Sequence, residues 1–309
     1  MVSVGSCAAA GTLAMAKKTS GSYLIGQVSP FYRAVFHVSS RATGLPGKRA
    51  KTYGTMIDDG GKSAGFVMAR HKCNMVDNPY CIPNEFIAAR LGTALGLPLP
   101  PFALTKVSDV GRRLLFSNLD FNPGGMRLPR IDPEICMENQ RLVPICVGIV
   151  VFDIWIANDD RHDKNLAVDR QGRPTLIRVF DHDHSLFGGP CSNDRGIKRL
   201  DDLRDRLGIT GSTTTGGTEH IFLDHINTDL YLRDWVERVQ SLPSWIIREP
   251  CRAMHFRGGL SAKEVKAVID FLRHRQDELP KLVFGTLCAD RKIDVAPNQR
   301  KLPFPEMKS

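Results

Sequence analysis

Sixteen mostly apolar residues, Leu142 to Ala157 (LVPICVGIVVFDIWIA), end abruptly at Asn158-Asp159-Asp160-Arg161-His162-Asp163-Lys164-Asn165. The run lacks strand alternation and is long enough for a helix. Pro144 fits the first turn, where no amide donor is missed. So apolar a helix has to be buried, and the chain has to be built around it. Asp153 interrupts the run and argues against a membrane span.

The polar cluster leads into a short apolar run, Leu166-Ala167-Val168, a turn-rich stretch from Asp169 to Pro174, and a second run from Thr175 to Phe180. This pattern predicts strand, hairpin turn and strand, followed by Asp181-His182-Asp183-His184. With the turn centred near Gln171 to Gly172, Ile177 lies opposite Leu166. Asn165 and Asp181 then share the open end, offset by a few residues at about 3.3 Å each. A divalent metal holding a nucleotide's phosphates could touch both, with Asp160 facing the attacking group. Kinase-type phosphoryl transfer needs those parts: a carboxylate for the acceptor hydroxyl, and an amide and a carboxylate for metal. Asp, Arg, His and Asn after a helix also suit a plainer role as solvated caps and turn residues.

Asp160-Arg161-His162-x-x-Asn165, with Asp181-His182 after the next strand, resembles the catalytic core shared by HipA-like kinases and phosphatidylinositol 3/4-kinases. Upstream, Asn84-Glu85-Phe86-Ile87-Ala88-Ala89-Arg90-Leu91, then Leu95-Gly96-Leu97-Pro98-Leu99-Pro100, resembles the N-E-x-x-A-x-x-L…G-L-P-x-P segment of HipA-like kinase domains. The two segments come in the family's order, between Gly65 and Gly188. The resemblance implies an α+β, bilobal protein-kinase-like fold. A mainly β N-lobe with one key helix would span 19–120, and a mainly α C-lobe 121–288. It implies ATP and Mg²⁺ as cofactors and a protein Ser/Thr acceptor, with a lipid acceptor as the alternative. Asp160 would be the catalytic carboxylate and His162 a brace for its loop. Asn165 and Asp181 would hold the metal. Arg70 or Lys72 would contact phosphate, with Glu85 orienting that cation.

The cation is where the chain departs from the family pattern. The nearest register on the Phe66–Lys72 strand gives Ala69 or Arg70, with Lys72 one alternation further on. Two other classes therefore stay open. One is a pseudokinase that binds nucleotide without transfer. The other is a metal-dependent phosphohydrolase using His162, Asp163, Asp181, His182, Asp183 and His184. Gly61-Lys62-Ser63 is not a P-loop, because Met56 stands where the motif requires glycine.

The net charge of +9 comes from scattered lysines and arginines, with no basic helical stripe and no interleaved aromatics. Nucleic acid is therefore not an expected partner. The eight cysteines form no C-x-x-C pair and read as reduced packing residues of a cytoplasmic protein. The apolar N-terminus has its lysines after the apolar run, unlike a signal peptide. Residues 1–18 are expected to be disordered and 289–309 to be a basic tail.

Elsewhere the pattern predicts strands near 23–25, 33–38, 52–57, 102–107 and 112–118, with a helix from Pro83 to Leu95 and a hinge at 118–125. A Pro-rich linker is expected at 128–137, and a mobile segment over 189–218. Helices are expected at 219–242 and 244–255, with Trp235, Trp245 and Phe256 as packing residues. Ser261-Ala262-Lys263-Glu264 is a capping box, opening a helix that Pro280 should end.

Overall fold

A computed structural model of the chain describes residues 23–27, 32–37, 51–58, 62–73, 78–107, 114–119, 131–169, 173–189, 193–209, 219–257 and 259–293; for most of the first strands the description is of the backbone. The expectations for 1–18, for the 59–61 turn, for most of the hinge, for 210–218 and for 294–309 fall outside these residues.

Six strands form a closed antiparallel barrel: β1 (Tyr23–Gln27), β2 (Tyr32–His37), β3 (Lys51–Asp58), β4 (Ser63–Cys73), β5 (Phe102–Val107) and β6 (Leu114–Leu119). Their order is β1-β2-β3-β4-β6-β5, and β5 pairs back onto β1. Closure leaves no open edge among these strands. Helix α1 (Cys81–Ala94) lies between β4 and β5 in sequence and packs on β4, β6 and the later helix α6. It is buried on nearly every face, with Arg90, Thr93 and Ala94 the exceptions. That explains why an Asn-Glu pair near its start lies inside the protein.

The rest is mainly helical: α2 (Pro133–Glu138), α3 (Val143–Ile156), α4 (Asn193–Asp202), α5 (Leu232–Gln240), α6 (Ser244–Phe256) and α7 (Ala262–Pro280). The predicted apolar helix is α3, and its residues from Cys146 to Ile156 are wholly or almost wholly buried. It packs against α2, α5 and α7. At Gly148 an added Cβ would stand 2.2 Å from the Trp235 indole, so α5 seats its tryptophan directly on the α3 backbone. Arg275 of α7, wholly buried, donates to the carbonyls of Ile154 and Trp155 at the last turn of α3 and to Leu203, Arg206 and Leu207. This gives the Trp155 carbonyl a donor in the core and adds one to the Ile154 carbonyl, which also accepts the Ala157 amide at 3.2 Å.

Several expectations are corrected. The Pro-rich linker contains α2, whose Asp132 cap and Pro133 at the first position start a short helix. Part of the segment expected to be mobile is α4. Residues 219–231 are not α-helical, apart from a 3-10 turn at Leu223–His225, and α5 begins only at Leu232. The capping box is present at Ser261 and Glu264. Pro280, however, does not stop the chain. A π-helical stretch, Lys281–Leu287, carries it on to a last turn at Cys288–Asp290, and the Lys281 amide just after the proline donates to the Glu278 carbonyl. Trp235 is buried, whereas Trp245 and Phe256 are 60% and 85% exposed and do no core packing. No helix among the described residues is long and apolar enough to cross a membrane.

Candidate active site

The two short strands after α3, β7 (Leu166–Val168) and β8 (Ile177–Val179), pair in a register two residues away from the one expected: Leu166 faces Val179 and Val168 faces Ile177. The loop between them is therefore longer than the pattern suggested, and the open end is tighter. Asn165 now stands beside Phe180, whose amide donates to the Asn165 carbonyl at 3.2 Å. Asp181 is the next residue along. It adopts φ 65°, a left-handed conformation that a short polar side chain tolerates.

Of the two candidate strand cations, Lys72 is the one whose side chain is described. It lies on β4 opposite Phe116, is almost wholly buried, and its ammonium bonds both Glu85 of α1 and Asp181, with Asp183 at 3.6 Å. Arg70 takes its place in the ladder opposite Lys51 and Asn118; its side chain lies outside the described part. Burial alone would lower the Lys72 pKa, but Asp181, Glu85 and Asp183 hold it well above the usual lysine value. Burial would raise Glu85, but Lys72 and the neighbouring His182 keep it below its ordinary range. Burial, against the pull of Lys72 and with Asp181 and Glu85 near, pushes Asp183 up to about 6. One ammonium among three carboxylates leaves the cluster negative, and Glu85, Asp181 and Asp183 are close enough to share an ion. An all-oxygen set of this kind suits a hard cation such as Mg²⁺.

Asn84, the partner of Glu85 in the sequence motif, clamps the loop after β8. Its Nδ2 donates to the carbonyls of Asp183 and Gly188 at 2.8 and 2.9 Å, and its Oδ1 accepts from the Phe187 amide at 3.3 Å. The Asn-Glu pair thus holds the metal loop by one residue and the lysine by the other.

The loop carrying Asp160 is built on a buried ionic core. Arg161 forks onto Asp153 at 2.7 and 3.1 Å, and also donates to the carbonyls of Phe180 and Asn165 at 2.6 and 3.2 Å. Asp153 further accepts from Asn158 at 3.0 Å and lies 3.1 Å from His220. The acid that interrupts the apolar helix is therefore the anchor of the loop that carries Asp160. Ala157 ends α3 at φ 51°, a left-handed position costing a non-glycine residue about 1–2 kcal/mol, and this turns the chain towards the site. Asp160 and His162 are both partly exposed and 3.7 Å apart. His162 Nδ1 accepts the Lys164 amide at 3.0 Å. Asn165 donates its Nδ2 to the Asp160 carbonyl at 2.6 Å, and Oδ1 is then the atom it has for a metal. Asn165 does not belong to the three-carboxylate group; Asp183 does, although the kinase reading of the sequence had not assigned it.

Of the six residues of the phosphohydrolase reading, Asp181 and Asp183 come together, but no histidine joins them. His162 lies near Asp160 and Asp163, His182 near Glu85, and His184 near Asp159. The group that does form among the described residues contains no histidine.

His182 and His220 are wholly buried, and burial holds both below the usual histidine value of 6.5. Each therefore stays neutral when folded and gains a proton more readily when unfolded. Stability should fall as pH drops from about 7.5 to about 5.5, with Asp183 acting in the opposite direction over part of that range. Asp153 adds to the loss at lower pH. Burial would raise its pKa, but Arg161 and His220 hold it below the carboxylate range. Its contribution is full above 3.8, its ordinary value, and fades below it. Thermal melts should show the decline, and His220→Gln should flatten it. A melting temperature unchanged between the two pH values would contradict this.

A strand lysine joined to a helix glutamate and to an aspartate across a hairpin, with an Asp-Arg-His-x-x-Asn loop alongside, defines a kinase-type phosphotransfer site. Residues 72–188, less than half of the chain, match the family model described as HipA-like kinase. That segment begins at Lys72, ends at Gly188 and contains every residue of the site; the chain carries the catalytic segment of a kinase. Two solved structures overlay loosely. A Helicobacter pylori proinflammatory kinase, CtkA, is 13% identical, with 77% of this chain and 92% of that chain covered at a TM-score of 0.48. Shewanella oneidensis HipA, from a toxin–antitoxin system and solved with HipB and operator DNA, is 11% identical, with 83% and 70% covered at 0.37. These overlaps are too loose to bear on fold or function. No curated protein is similar enough to count as a match.

Proposed function

We propose that the protein is an ATP- and Mg²⁺-dependent phosphotransferase of the HipA-like class, acting on a protein serine or threonine hydroxyl. Its barrel part, about residues 19–120, and its helical part, 121–288, would be the two lobes of a kinase. The observation that carries the reading is Lys72, held at once by Glu85 and Asp181. A buried lysine so oriented can lie against nucleotide phosphates, and a carboxylate so close to it can carry their metal.

Bound Mg²⁺ would supply positive charge against the negative charge that builds up during transfer. Asp181, Asp183 and the Asn165 amide oxygen would hold it. Lys72 would lie against the phosphates, with Glu85 fixing its direction. Asp160 would accept a hydrogen bond from the acceptor hydroxyl and take its proton late in the reaction. The partly exposed position of Asp160 suits contact with an incoming substrate. The five cysteines whose side chains are described, Cys81, Cys136, Cys146, Cys251 and Cys288, are free and buried, in keeping with a cytoplasmic setting.

The test is incubation of purified protein with γ-labelled ATP, Mg²⁺ and lysate. Label should enter protein. Label in lipid would name the other acceptor class, and label only in free phosphate would defeat the reading. Calorimetry adds a second arm: ATP binding should depend on Mg²⁺ more strongly in the native protein than in Asp181→Asn. Equal metal dependence would remove Asp181 as a ligand.

A further inference from the structure

Arg199 on α4 is remote in sequence from every motif residue, yet it holds both sides of the site. Its Nη1 donates to the Leu186 carbonyl at 2.7 Å. Its Nη2 lies 3.1 Å from the Ala157 carbonyl, 3.0 Å from Asp159 Oδ2 and 3.3 Å from the His184 carbonyl. Ala157 and Asp159 belong to the chain leaving α3, just before Asp160. His184 and Leu186 belong to the loop that begins at Asp181. One planar guanidinium thus bridges the catalytic loop and the metal loop.

The surrounding backbone is shaped to admit it. Gly188 has φ 92°, and an added Cβ there would meet Arg199 Cδ at 2.6 Å. Leu186 takes φ 49°, and its amide donates to the Ile156 carbonyl at 2.8 Å, a second tie between the same two segments. Asp159, the only carboxylate on Arg199 among the described residues, also has His184 Nδ1 at 3.8 Å from its other oxygen. A lysine cannot reproduce this pattern, because a point charge lacks the flat fork that reaches several acceptors at once.

We infer that Arg199 is a positioning residue for phosphoryl transfer: it fixes the separation between Asp160 and the ligands Asp181 and Asp183 by clasping Asp159 and Ala157 to the 184–186 backbone. This rests on the kinase reading above. A misplacement of about 1 Å in such a site can cost about 10² in rate. Arg199 does not itself touch nucleotide or acceptor, so its loss should act on turnover and spare binding.

The experiment compares the native protein with Arg199→Lys, Arg199→Met, Asp159→Asn and the double variant Arg199→Met/Asp159→Asn. Transfer rate, ATP affinity, melting temperature and amide hydrogen exchange are measured for each. Arg199→Met should lose about 10- to 100-fold in kcat, with ATP affinity within about twofold of native. Arg199→Lys should fold like the native protein and recover only part of the rate. The double variant should be no slower than Arg199→Met, since both act through one contact. Exchange should quicken at 157–160 and 184–188 and stay unchanged in α5 and α7. Native turnover in Arg199→Met or Arg199→Lys, with only the melting temperature lowered, would overturn the inference and leave Arg199 a structural pin. Should Arg199→Met fail to fold, Arg199→Lys decides by the same criteria. If the native protein transfers no label, the kinase reading fails instead, and unchanged exchange at the two loops would then overturn the clasp as well.

Discussion

Asp160→Ala should lower phosphoryl transfer by about 10²–10⁴, the usual worth of a positioned acid or base, while ATP binds nearly as before. The reason is its place. Asp160 stands ahead of Asn165 on the loop, is partly exposed, and is absent from the carboxylate group around Lys72. It would meet the acceptor rather than the phosphates. Its side chain is also a minor structural element, lying 3.7 Å from His162 and 3.4 Å from the Asn165 amide. The fold of the loop depends instead on Arg161, Asp153 and the Asp160 main-chain carbonyl. The variant should therefore melt within a few degrees of the native protein. Asn165→Ala should differ, weakening both metal binding and turnover. Paired measurements of nucleotide affinity and transfer rate separate the cases. Native transfer by Asp160→Ala would sink the assignment of this loop. A large drop in melting temperature would instead make Asp160 a cap for the turn after α3.

Lys72→Met should remove transfer and destabilise the protein together. Loss of one preorganised donor to a developing charge costs about 10²–10³ in rate. Removing one partner of a buried ion pair typically costs about 3–5 kcal/mol, because the remaining charge is left uncompensated. Here Glu85 and Asp183 are buried and Asp181 is nearly so, so three carboxylates would face one another without a cation. Mg²⁺ should then stabilise Lys72→Met by more degrees than it stabilises the native protein, since it replaces the missing positive charge. The check is melting with and without Mg²⁺, beside a transfer assay. A variant as stable as the native protein, with no added response to Mg²⁺, would mean that the carboxylates do not share a cation site. Active Lys72→Met would exclude the lysine from phosphate contact and return attention to Arg70.

Much of this was written into local sequence. The apolar run from Leu142 had no option but burial, and Asp160, Asn165 and Asp181 follow it at spacings that a hairpin must gather at one end. Glu85 was legible because Asn84-Glu85 opens a helix within a recognisable segment. The hairpin register was misjudged by two residues, since a turn rich in Gly, Arg and Asp does not state how many residues it takes. Alternation along β4 could place Arg70 and Lys72 on one face but could not choose between them. The contacts of Lys72 come from α1 and the Asp181 loop, 13 and 109 residues away.

The remaining omissions have the same cause. An acid eight residues before Arg161, within an apolar run, was a signal for the Asp153 anchor, but nothing near it pointed to His220. Arg199 lay in a segment expected to be mobile, and Arg275 in the helix opened by the capping box; neither was singled out. Only the tertiary structure turned them inward, onto carbonyls at the end of α3 and along the metal loop. Sequence by itself determined which segments must be buried and which chemistry they carry, because hydrophobic periodicity and motif spacing act over a few turns. The tertiary structure decided which cation meets which carboxylate, because that depends on contacts between elements far apart in the chain, where a shift of one residue changes every partner.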